Sequence, residues 1–209
     1  RILSSAASDV YKRQAKNYDG YKNIIKLSSK SYLENSEITD PHCHIDDLVN
    51  NSDGIIVLTG SIRCLFGSLF NKGLFNEIEE LLIKLKEKFE DSIYIEIQRH
   101  DDFNEKDFEN YNLKISEKLK LPIIASHEIY YLNKDMFEAH DALMCIGQKT
   151  YVNDANRIKL TNQHYFKSSD DMIEVFKDLP EALENNFNLP FRCSYKPKFS
   201  KPILPSISS

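Results

Sequence analysis

Residues 54–59 have the sequence GIIVLT, a short run of β-branched and aliphatic side chains directly after the turn residues 50–53. A run that is too short for a typical helix and follows turn residues is typical of a strand buried on both faces. Two similar runs follow, IYIEIQ at residues 93–98 and LPIIAS at residues 121–126. The sequence therefore predicts three central strands.

Helical patterns separate the predicted strands. After the first strand, apolar residues recur at intervals that place them on one face of a helix. They are Leu74, Ile78, Leu81, Leu82, Leu85 and Phe89. After the second strand, Asn104 is expected to cap a helix with a similar apolar face. That face comprises Phe108, Tyr111, Ile115 and Leu119. A third helix is expected over residues 134–147, closed by Gly147.

The alternation of strands and helices favours a parallel sheet, because a hairpin cannot join parallel strands and a helical crossover can. The pattern alone does not distinguish an open sheet from a barrel. Peripheral helices are expected over residues 21–33, 169–176 and 180–189, with Pro180 in the first turn of the last one. The sequence therefore predicts an α/β fold.

The two ends of the chain are expected to lie outside this core. Residues 1–14 resemble a leader that recurs in translated environmental sequence fragments, where sequencing-adapter bases are read as protein. They are interpreted as non-native or disordered, and a frayed native terminus is the alternative. Residues 196–209 are interpreted as a linker, because three prolines in so short a stretch exclude a helix or a central strand. Residues 15–195 remain as the folded part.

The composition excludes several classes of protein. Hydrophobic residues make up 41% of the chain and charged residues 28%, as in globular domains. The formal net charge of −5 gives no basic surplus, so direct binding of nucleic acid by this chain is not expected. No apolar run reaches the roughly 18 residues of a membrane span. The widely spaced cysteines favour reduced thiols and a cytoplasmic location. They are Cys43, Cys64, Cys145 and Cys193.

Polar residues follow each predicted strand. In parallel α/β folds, the carboxyl ends of the strands meet at one edge, where ligands bind. The residues expected there are Ser61, Arg63, His100, Asp101, Asp102, His127 and Glu128, with Glu96 slightly deeper. Histidines and carboxylates from three strands are suited to bind a divalent metal that activates water for phosphoester hydrolysis. The alternative is that these side chains only cap the strand ends.

Other motifs carry weaker signals. Residues 41–47 (PHCHIDD) hold several candidate ligands, but adjacent side chains do not easily converge on one ion, and an exposed loop is favoured. Residues 60–67 (GSIRCLFG) lack the Lys-Ser/Thr of a phosphate-binding loop. Tyr131 stands where a zincin would carry its second histidine. His140 is interpreted as a hydrogen-bonded core residue, and His164 has no ligand-like neighbour in the sequence.

Six segments carry a resemblance to a known family. They are AKNYDGYKNIIKLSS at 15–29, DGIIVLTGS at 53–61, YIEIQRH at 94–100, LPIIASHEIYYL at 121–132, EAHDALMCIGQKTYVNDANR at 138–157 and FKSSDDMIEVFKDLPEALENN at 166–186. In this order they resemble the later part of the amino-terminal PHP (polymerase and histidinol phosphatase) domain of bacterial replicative DNA polymerase III alpha subunits. The similarity covers residues 15–205, and it lies in the ordered set more than in any single motif.

The resemblance implies an irregular seven-stranded β/α (TIM-like) barrel, which agrees with the three βα units. It also implies that the chain is a fragment, because the opening strands with the family's H-x-H motif would precede residue 15. The palm, fingers and thumb would follow residue 209. The catalytic aspartates of nucleotidyl transfer, with their Mg²⁺, belong to the absent palm, so no catalytic residue and no cofactor are expected in this segment.

The family's metal-binding positions are altered in this sequence. Ser61 stands where an SGC-like turn carries cysteine, and a hydroxyl is a weaker metal ligand than a thiolate. In the family's TNDxHY pattern, Glu128 stands at the Asp position, Tyr130 replaces the His, and His127 falls at the Asn position. With two of three positions lost, a degenerate site without metal is expected. The remaining candidate ligands are Glu96, His100 and His127.

The segment is therefore expected to have a structural role in a DNA-directed DNA polymerase. The resemblance implies partners: a separate proofreading exonuclease subunit that docks on this domain, other replicase subunits, and DNA through the absent domains. One alternative is a metal-dependent phosphoesterase or 3′–5′ exonuclease of the PHP superfamily. Another is a free-standing histidinol-phosphatase-like protein. A barrel without its opening strands is also expected to expose apolar surface and to aggregate.

Overall fold

Four strands and eight helices form the part of the chain that the computed structural model describes, residues 12–34 and 41–199. The strands are β1 (Lys12–Ala15), β2 (Ile55–Leu58), β3 (Ile93–Ile97) and β4 (Ile123–Ala125). The helices are α1 (Tyr18–Leu33), α2 (Ile45–Asn50), α3 (Leu65–Asn71), α4 (Phe75–Phe89), α5 (Glu105–Leu119), α6 (Phe137–Gln148), α7 (Ser169–Val175) and α8 (Pro180–Asn188). Short 3-10 turns lie at Glu90–Ser92, Lys134–Met136 and Leu189–Arg192.

The strands form one sheet in the order β1-β2-β3-β4. Strands β2, β3 and β4 run parallel, with Val57 opposite Ile93 and Ile95 opposite Ile123. Strand β1 lies at the edge and runs antiparallel to β2. Helices α3 and α4 connect β2 to β3, and α5 connects β3 to β4. The predicted α/β alternation with parallel central strands is thus confirmed.

The main core lies between the sheet and the helices on one of its faces. In α4 it contains Ile78, Leu82, Leu85 and Phe89, as the spacing predicts. Leu74 and Leu81, from the same predicted face, are only half-buried. On the other face of the sheet, a smaller cluster comprises Ile56, Leu58, Tyr94 and Ile124. Both faces of the central strands are therefore covered, as expected for continuous apolar runs.

Helix α1 packs closely on the turn that precedes β2. A β-carbon on Gly20 would come within 1.8 Å of the carbonyl oxygen of Gly54. Gly54 also has a positive φ of 70°, a conformation that L-residues with a side chain rarely adopt. Both glycines are thus required by the close approach of two backbone segments.

Two predicted helix ends differ in detail. Asn104 precedes α5 as expected, but its φ is 61° and its side chain does not cap the helix. Its amide instead donates to the side-chain oxygen of Asn71, at 3.1 Å. Helix α6 continues through Gly147 and ends before Lys149, which takes the left-handed conformation with a φ of 55°. The expected closure at Gly147 is therefore wrong, because the lysine backbone itself makes the turn.

Two short helices were not predicted from the sequence, and one of them begins in the 41–47 segment, where a loop was expected. Helix α2 begins inside the 41–47 segment, and the backbone N–H of His44 donates to the Asp47 carboxylate at its first turn, at 3.0 Å. Helix α3 begins inside the 60–67 segment. Helices of six and seven residues contain too few turns for a hydrophobic period to be detected in the sequence.

Residues 1–14, which were interpreted as a leader, are partly described. Of these, residues 12–14 belong to β1 and pair with β2, where Lys12 lies opposite Leu58. Residues 1–11 lie outside the described residues, as do 35–40 and 200–209. The expectation that residues 1–14 are not native concerns their origin, and the pairing of β1 does not bear on it.

Candidate functional site

The carboxyl ends of β2, β3 and β4 bring polar side chains together, as the sequence predicts. We call this group the strand-end cluster. It comprises Ser61, Arg63, Glu96, His100, Asp102, His127, Glu128 and Tyr130, together with His164. Asp101, which was also expected there, is exposed and adopts a positive φ of 60°.

Glu96 is the most deeply placed carboxylate of the cluster, with an exposed fraction of 1%. One oxygen accepts the backbone N–H of Gly60 at 3.0 Å. The other accepts the amide of Gln98 at 2.7 Å and the hydroxyl of Ser126. Its own backbone N–H donates to the hydroxyl of Thr59 at 3.0 Å. Glu96 therefore ties the ends of all three parallel strands together.

Lys12 reaches the same carboxylate from β1. Its ammonium lies 2.6 Å from Glu96 and 3.5 Å from Glu128. Burial alone would lower the pKa of Lys12, but the two carboxylates outweigh it and the pKa is raised.

Three histidine rings form a stack at the centre of the cluster. The ring of His100 lies between those of His127 and His164, at centroid distances of 4.4 and 4.1 Å. Nε2 of His100 accepts the backbone N–H of Glu128 at 3.1 Å. His127 donates from Nε2 to the carbonyl of Tyr165 at 3.0 Å. His164 lies with Nδ1 at 3.3 Å from the Glu128 carbonyl.

The outer rings of the stack are uncharged at neutral pH. Burial, together with the neighbouring His100, lowers the pKa of His127 to about 4. The same causes lower the pKa of His164 to about 3. His164 Nε2 lies 4.0 Å from the Asp102 carboxylate. Because the ring is uncharged at neutral pH, the two groups do not form an ion pair there. Asp102 is instead held by Arg63, whose Nε donates to it at 2.8 Å.

The residues at the family's metal positions do not form a metal-binding set. The Ser61 hydroxyl is buried and faces the thiol of Cys64 at 3.6 Å. The lone pair of His100 Nε2 is occupied by the Glu128 N–H, and both oxygens of Glu96 accept hydrogen bonds. Within residues 12–34 and 41–199, no three His, Cys, Asp or Glu side chains are arranged to hold an ion. Glu96 and His100 Nε2 thus already have protein partners.

The side chains of the 41–47 segment are directed to different partners. The thiol of Cys43 lies 3.0 Å from the carbonyl of Leu27 on α1. Asp46 forms an exposed ion pair with Lys84 of α4. The segment was interpreted as an exposed loop, but only His44 and Asp46 in it are exposed, and part of it is helical.

Two histidines differ from their sequence-based interpretations. His140 is half-buried and its ring packs near those of Tyr130 and Tyr131, at 5.8 and 5.3 Å. Its buried Nδ1 has no hydrogen-bond partner among the described residues, so the expected hydrogen bond is not found at that atom. His164 is fully buried in the cluster, which the sequence reasoning missed.

The segment that contains His164 pairs with the segment around Tyr131 as a short strand would. Tyr131 and Tyr165 form an isolated parallel bridge. The backbone N–H of Tyr130 donates to the carbonyl of His164, and that of Phe166 donates to the carbonyl of Tyr131, each at 3.0 Å. The adjacent aromatic residues in QHYF at 163–166, a residue type that favours strands, are the signal that could have identified this segment as strand-like.

Comparison with known proteins gives a consistent result along the chain. Residues 8–100 match the PHP domain family. The chain is 34% identical over 195 residues to the DNA polymerase III subunit alpha of Rickettsia bellii, which covers 93% of this chain. It is 38% identical over 194 residues to that of Borreliella burgdorferi, covering 91%, and 32% identical over 192 residues to that of Caulobacter vibrioides, covering 92%.

The chain is much shorter than these relatives. The matched region spans 17% of the length of each of the three proteins. None of the helices in the described part of the chain is long and apolar enough to cross a membrane.

Proposed function

Since the chain belongs to the DNA polymerase III alpha-subunit family and carries part of a PHP domain, we propose that it is a segment of a replicative DNA-directed DNA polymerase. In this proposal the segment has a structural role and catalyses no reaction itself. Nucleotide addition, its Mg²⁺ and the contacts with DNA belong to the remainder of the polymerase. The protein acts in the cytoplasm as part of the replicase.

The observation that supports a structural role is the state of the candidate ligands. A hydrolytic PHP site needs side chains with free lone pairs directed at the ion. In the strand-end cluster, Glu96 binds Gly60 and Gln98, and His100 binds the backbone of Glu128. These hydrogen bonds stabilise the strand ends, and binding of a metal by Glu96 or by His100 Nε2 would break them.

The finer architecture is part of the same proposal. The three parallel strands and their helices fit a sector of a seven-stranded β/α barrel. The isolated bridge between Tyr131 and Tyr165, which follow β4 in the chain, supports a continuation of the sheet towards a barrel. In this arrangement, the smaller cluster around Ile56 and Tyr94 faces the barrel interior.

We also propose that the segment contributes to the surface that binds the proofreading exonuclease subunit of the replicase. The support is the kinship with the alpha subunits together with the absence of a basic surplus in this chain, since the net charge is −5. Such a surface suits a protein partner better than a nucleic acid. Pull-down of the exonuclease subunit by the intact alpha subunit, and loss of that binding when residues 15–195 are deleted, are the expected results.

Metal analysis of the complete alpha subunit tests the structural role. We expect less than stoichiometric Mn²⁺ or Zn²⁺ after dialysis, and no hydrolysis of phosphate esters or pyrophosphate above that of a protein-free blank. The paired substitutions His127→Ala and Glu128→Ala should leave the small metal content unchanged. Glu138→Ala, at an exposed position of α6, is the matched control.

The opposite outcome favours the alternative function. Stoichiometric metal that is lost in the His127→Ala and Glu128→Ala protein, and retained in the Glu138→Ala protein, would show that the cluster binds an ion. Phosphoesterase activity lost in parallel would then identify the segment as a hydrolase.

A further inference from the structure

A small cavity lies between the end of β3 and helix α5. The space that the centre of a water-sized molecule can occupy there is about 10 Å³. That is close to the minimum that holds one water molecule. The lining residues are Ser61, Ile62, Glu96, Ile97, Gln98, Glu105, Phe108, Glu109 and Asn112.

Gln98 supplies one hydrogen-bond acceptor without a partner. Its amide nitrogen donates to the Glu96 carboxylate at 2.7 Å and lies 3.2 Å from the hydroxyl of Ser126. The opposite orientation of the amide would place its oxygen against the carboxylate, so the amide orientation is fixed. Its oxygen Oε1 is buried without a hydrogen-bond partner, in a side chain whose residue is 5% exposed.

Glu105 supplies a second acceptor. It is the first residue of α5, and its Oε2 accepts the backbone N–H of His100 at 2.7 Å. The positive end of the helix dipole and this N–H both stabilise a carboxylate at that position. Its other oxygen, Oε1, is buried without a partner, and the residue is 8% exposed.

His100 supplies a donor. Because its Nε2 accepts the N–H of Glu128, the proton of the neutral ring is on Nδ1. Nδ1 is buried without a hydrogen-bond partner and lies 3.5 Å from Glu105 Oε1. At that distance and geometry the two atoms do not satisfy each other.

We propose that this cavity binds one water molecule, which donates to Gln98 Oε1 and Glu105 Oε1 in the cavity wall. The same water accepts a hydrogen bond from His100 Nδ1, which is not part of the wall but lies 3.5 Å from Glu105 Oε1. A water molecule can donate two hydrogen bonds and accept at least one, which matches two protein acceptors and one protein donor. Buried water molecules typically make about three hydrogen bonds. The water joins the end of β3 to the first turn of α5. It thereby fixes the loop 99–104, in which Asp101 and Asn104 both have positive φ values.

A metal cation does not fit the same atoms. Cations such as Na⁺, Mg²⁺ or Ca²⁺ require several oxygen ligands, and a protonated ring nitrogen repels them. Of the other two carboxylates in the cavity wall, Glu109 is paired with Arg99 at 2.7 Å and Glu96 accepts hydrogen bonds at both oxygens. This inference does not depend on the polymerase assignment, since it uses only contacts within the described residues.

A crystal structure of the 209-residue chain, or of the alpha subunit that contains it, tests the proposal directly. We expect one density peak about 2.7–3.1 Å from each of the three atoms, as for ordinary hydrogen bonds. An empty cavity would contradict the proposal. So would a direct His100–Glu105 bond with Gln98 Oε1 turned to a protein donor, or a peak at about 2.4 Å from five or more oxygens, as for a cation.

Two variants distinguish a bound water molecule from a bound cation in solution. Nuclear magnetic resonance should show a long-lived water signal at the His100 Nδ1 proton. Glu105→Gln should retain it, because an amide in place of the carboxylate can still bond to water, whereas a cation would be lost with the charge. Gln98→Met should lose the signal, and Glu105→Gln serves as its matched control for folding. Loss in Glu105→Gln with retention in Gln98→Met would overturn the proposal.

Discussion

Arg99 joins three parts of the chain through one guanidinium. It binds Glu109 of α5 and Asp178 after α7, each at 2.7 Å, and donates to the carbonyl of Val175. Its plane also lies 4.9 Å from the ring centre of Phe176. Hydrogen bonding to Arg99 lowers the pKa of Asp178 to about 2. This residue therefore anchors the carboxyl-terminal helices to the end of β3.

Replacement of Arg99 by alanine should destabilise the fold. The Glu109 side chain is only 4% exposed, so the substitution leaves a buried carboxylate without its main partner. We expect a loss of about 3 kcal/mol in the free energy of unfolding, measured by urea denaturation. Lys177→Ala, which removes an exposed ion pair with Glu174, should change it little. Equal effects of the two substitutions would contradict this role of Arg99.

The histidine stack predicts sensitivity to acid. The pKa values of His127 and His164 are lowered to about 4 and about 3 in the folded chain, against about 6.5 when unfolded. The unfolded chain then binds more protons below pH 6.5, so stability falls as the pH falls from about 6.5 towards 4. Above pH 6.5 these two groups should contribute no pH dependence.

Urea midpoints measured between pH 4 and 8 check this expectation. His164→Asn should flatten the dependence between pH 4 and 6.5, because one buried neutral ring is removed. His44, an exposed residue before α2, provides the control variant His44→Asn, which should retain the dependence. A midpoint that is constant from pH 4 to 8 in the unmodified chain would show that the rings are not buried in the neutral form.

Several residue-scale features were predictable, and others were not. The convergence of His100, His127 and Glu128 follows from strand order alone, since parallel strands end at one edge. The role of His164 does not, because it is brought in by a segment far along the chain. The ring stack itself depends on side-chain packing, which no local pattern encodes.

At the scale of elements, α4 shows how burial stabilises the sheet. Leu85 is completely buried against the sheet, whereas Ile83 of the same helix is 40% exposed. Leu85→Ala should lower the free energy of unfolding by about 3 kcal/mol, through lost burial and a residual cavity. Ile83→Ala should change it by less than about 0.5 kcal/mol. Urea denaturation of both proteins compares the two faces, and similar losses would show that α4 does not pack as described.

The long elements were predictable because their periodicity is strong. Helix α4, helix α5 and the three parallel strands repeat an apolar pattern over enough residues to indicate both type and buried face. Helices α2 and α3 are too short for this, and they are stabilised by their neighbours instead. The end of α6 was misplaced because Gly147 is accommodated within the helix and Lys149 takes the left-handed conformation.

At the scale of the whole molecule, helix α6 presents an unusual outer face. Its buried residues include the ion-paired Asp141, while Leu143 and Ile146 are 53% and 74% exposed. Tyr151, just after the helix, is 80% exposed. Contiguous exposed apolar side chains favour association.

The isolated chain should therefore self-associate. Analytical ultracentrifugation at increasing protein concentration is expected to show species larger than the monomer. The double substitution Leu143→Ser and Ile146→Ser should shift the distribution towards the monomer, whereas Lys149→Ser should not. A chain that is monomeric at all concentrations and unfolds cooperatively would contradict the expectation that its uncovered apolar surface causes aggregation.

The sequence by itself determined the α/β class, the order of the three parallel strands and the helices α4 and α5, the buried faces of these two helices, and the similarity to the alpha subunits. These properties depend on local periodicity and on the order of matching segments along the chain, and both can be read from the order of the residues alone. Only the tertiary structure decided which polar atoms of the strand-end cluster have partners and which do not. Whether two polar atoms form a hydrogen bond depends on differences of a few tenths of an ångström in the distance between them. When the atoms belong to segments that are remote in the chain, only tertiary packing sets that distance.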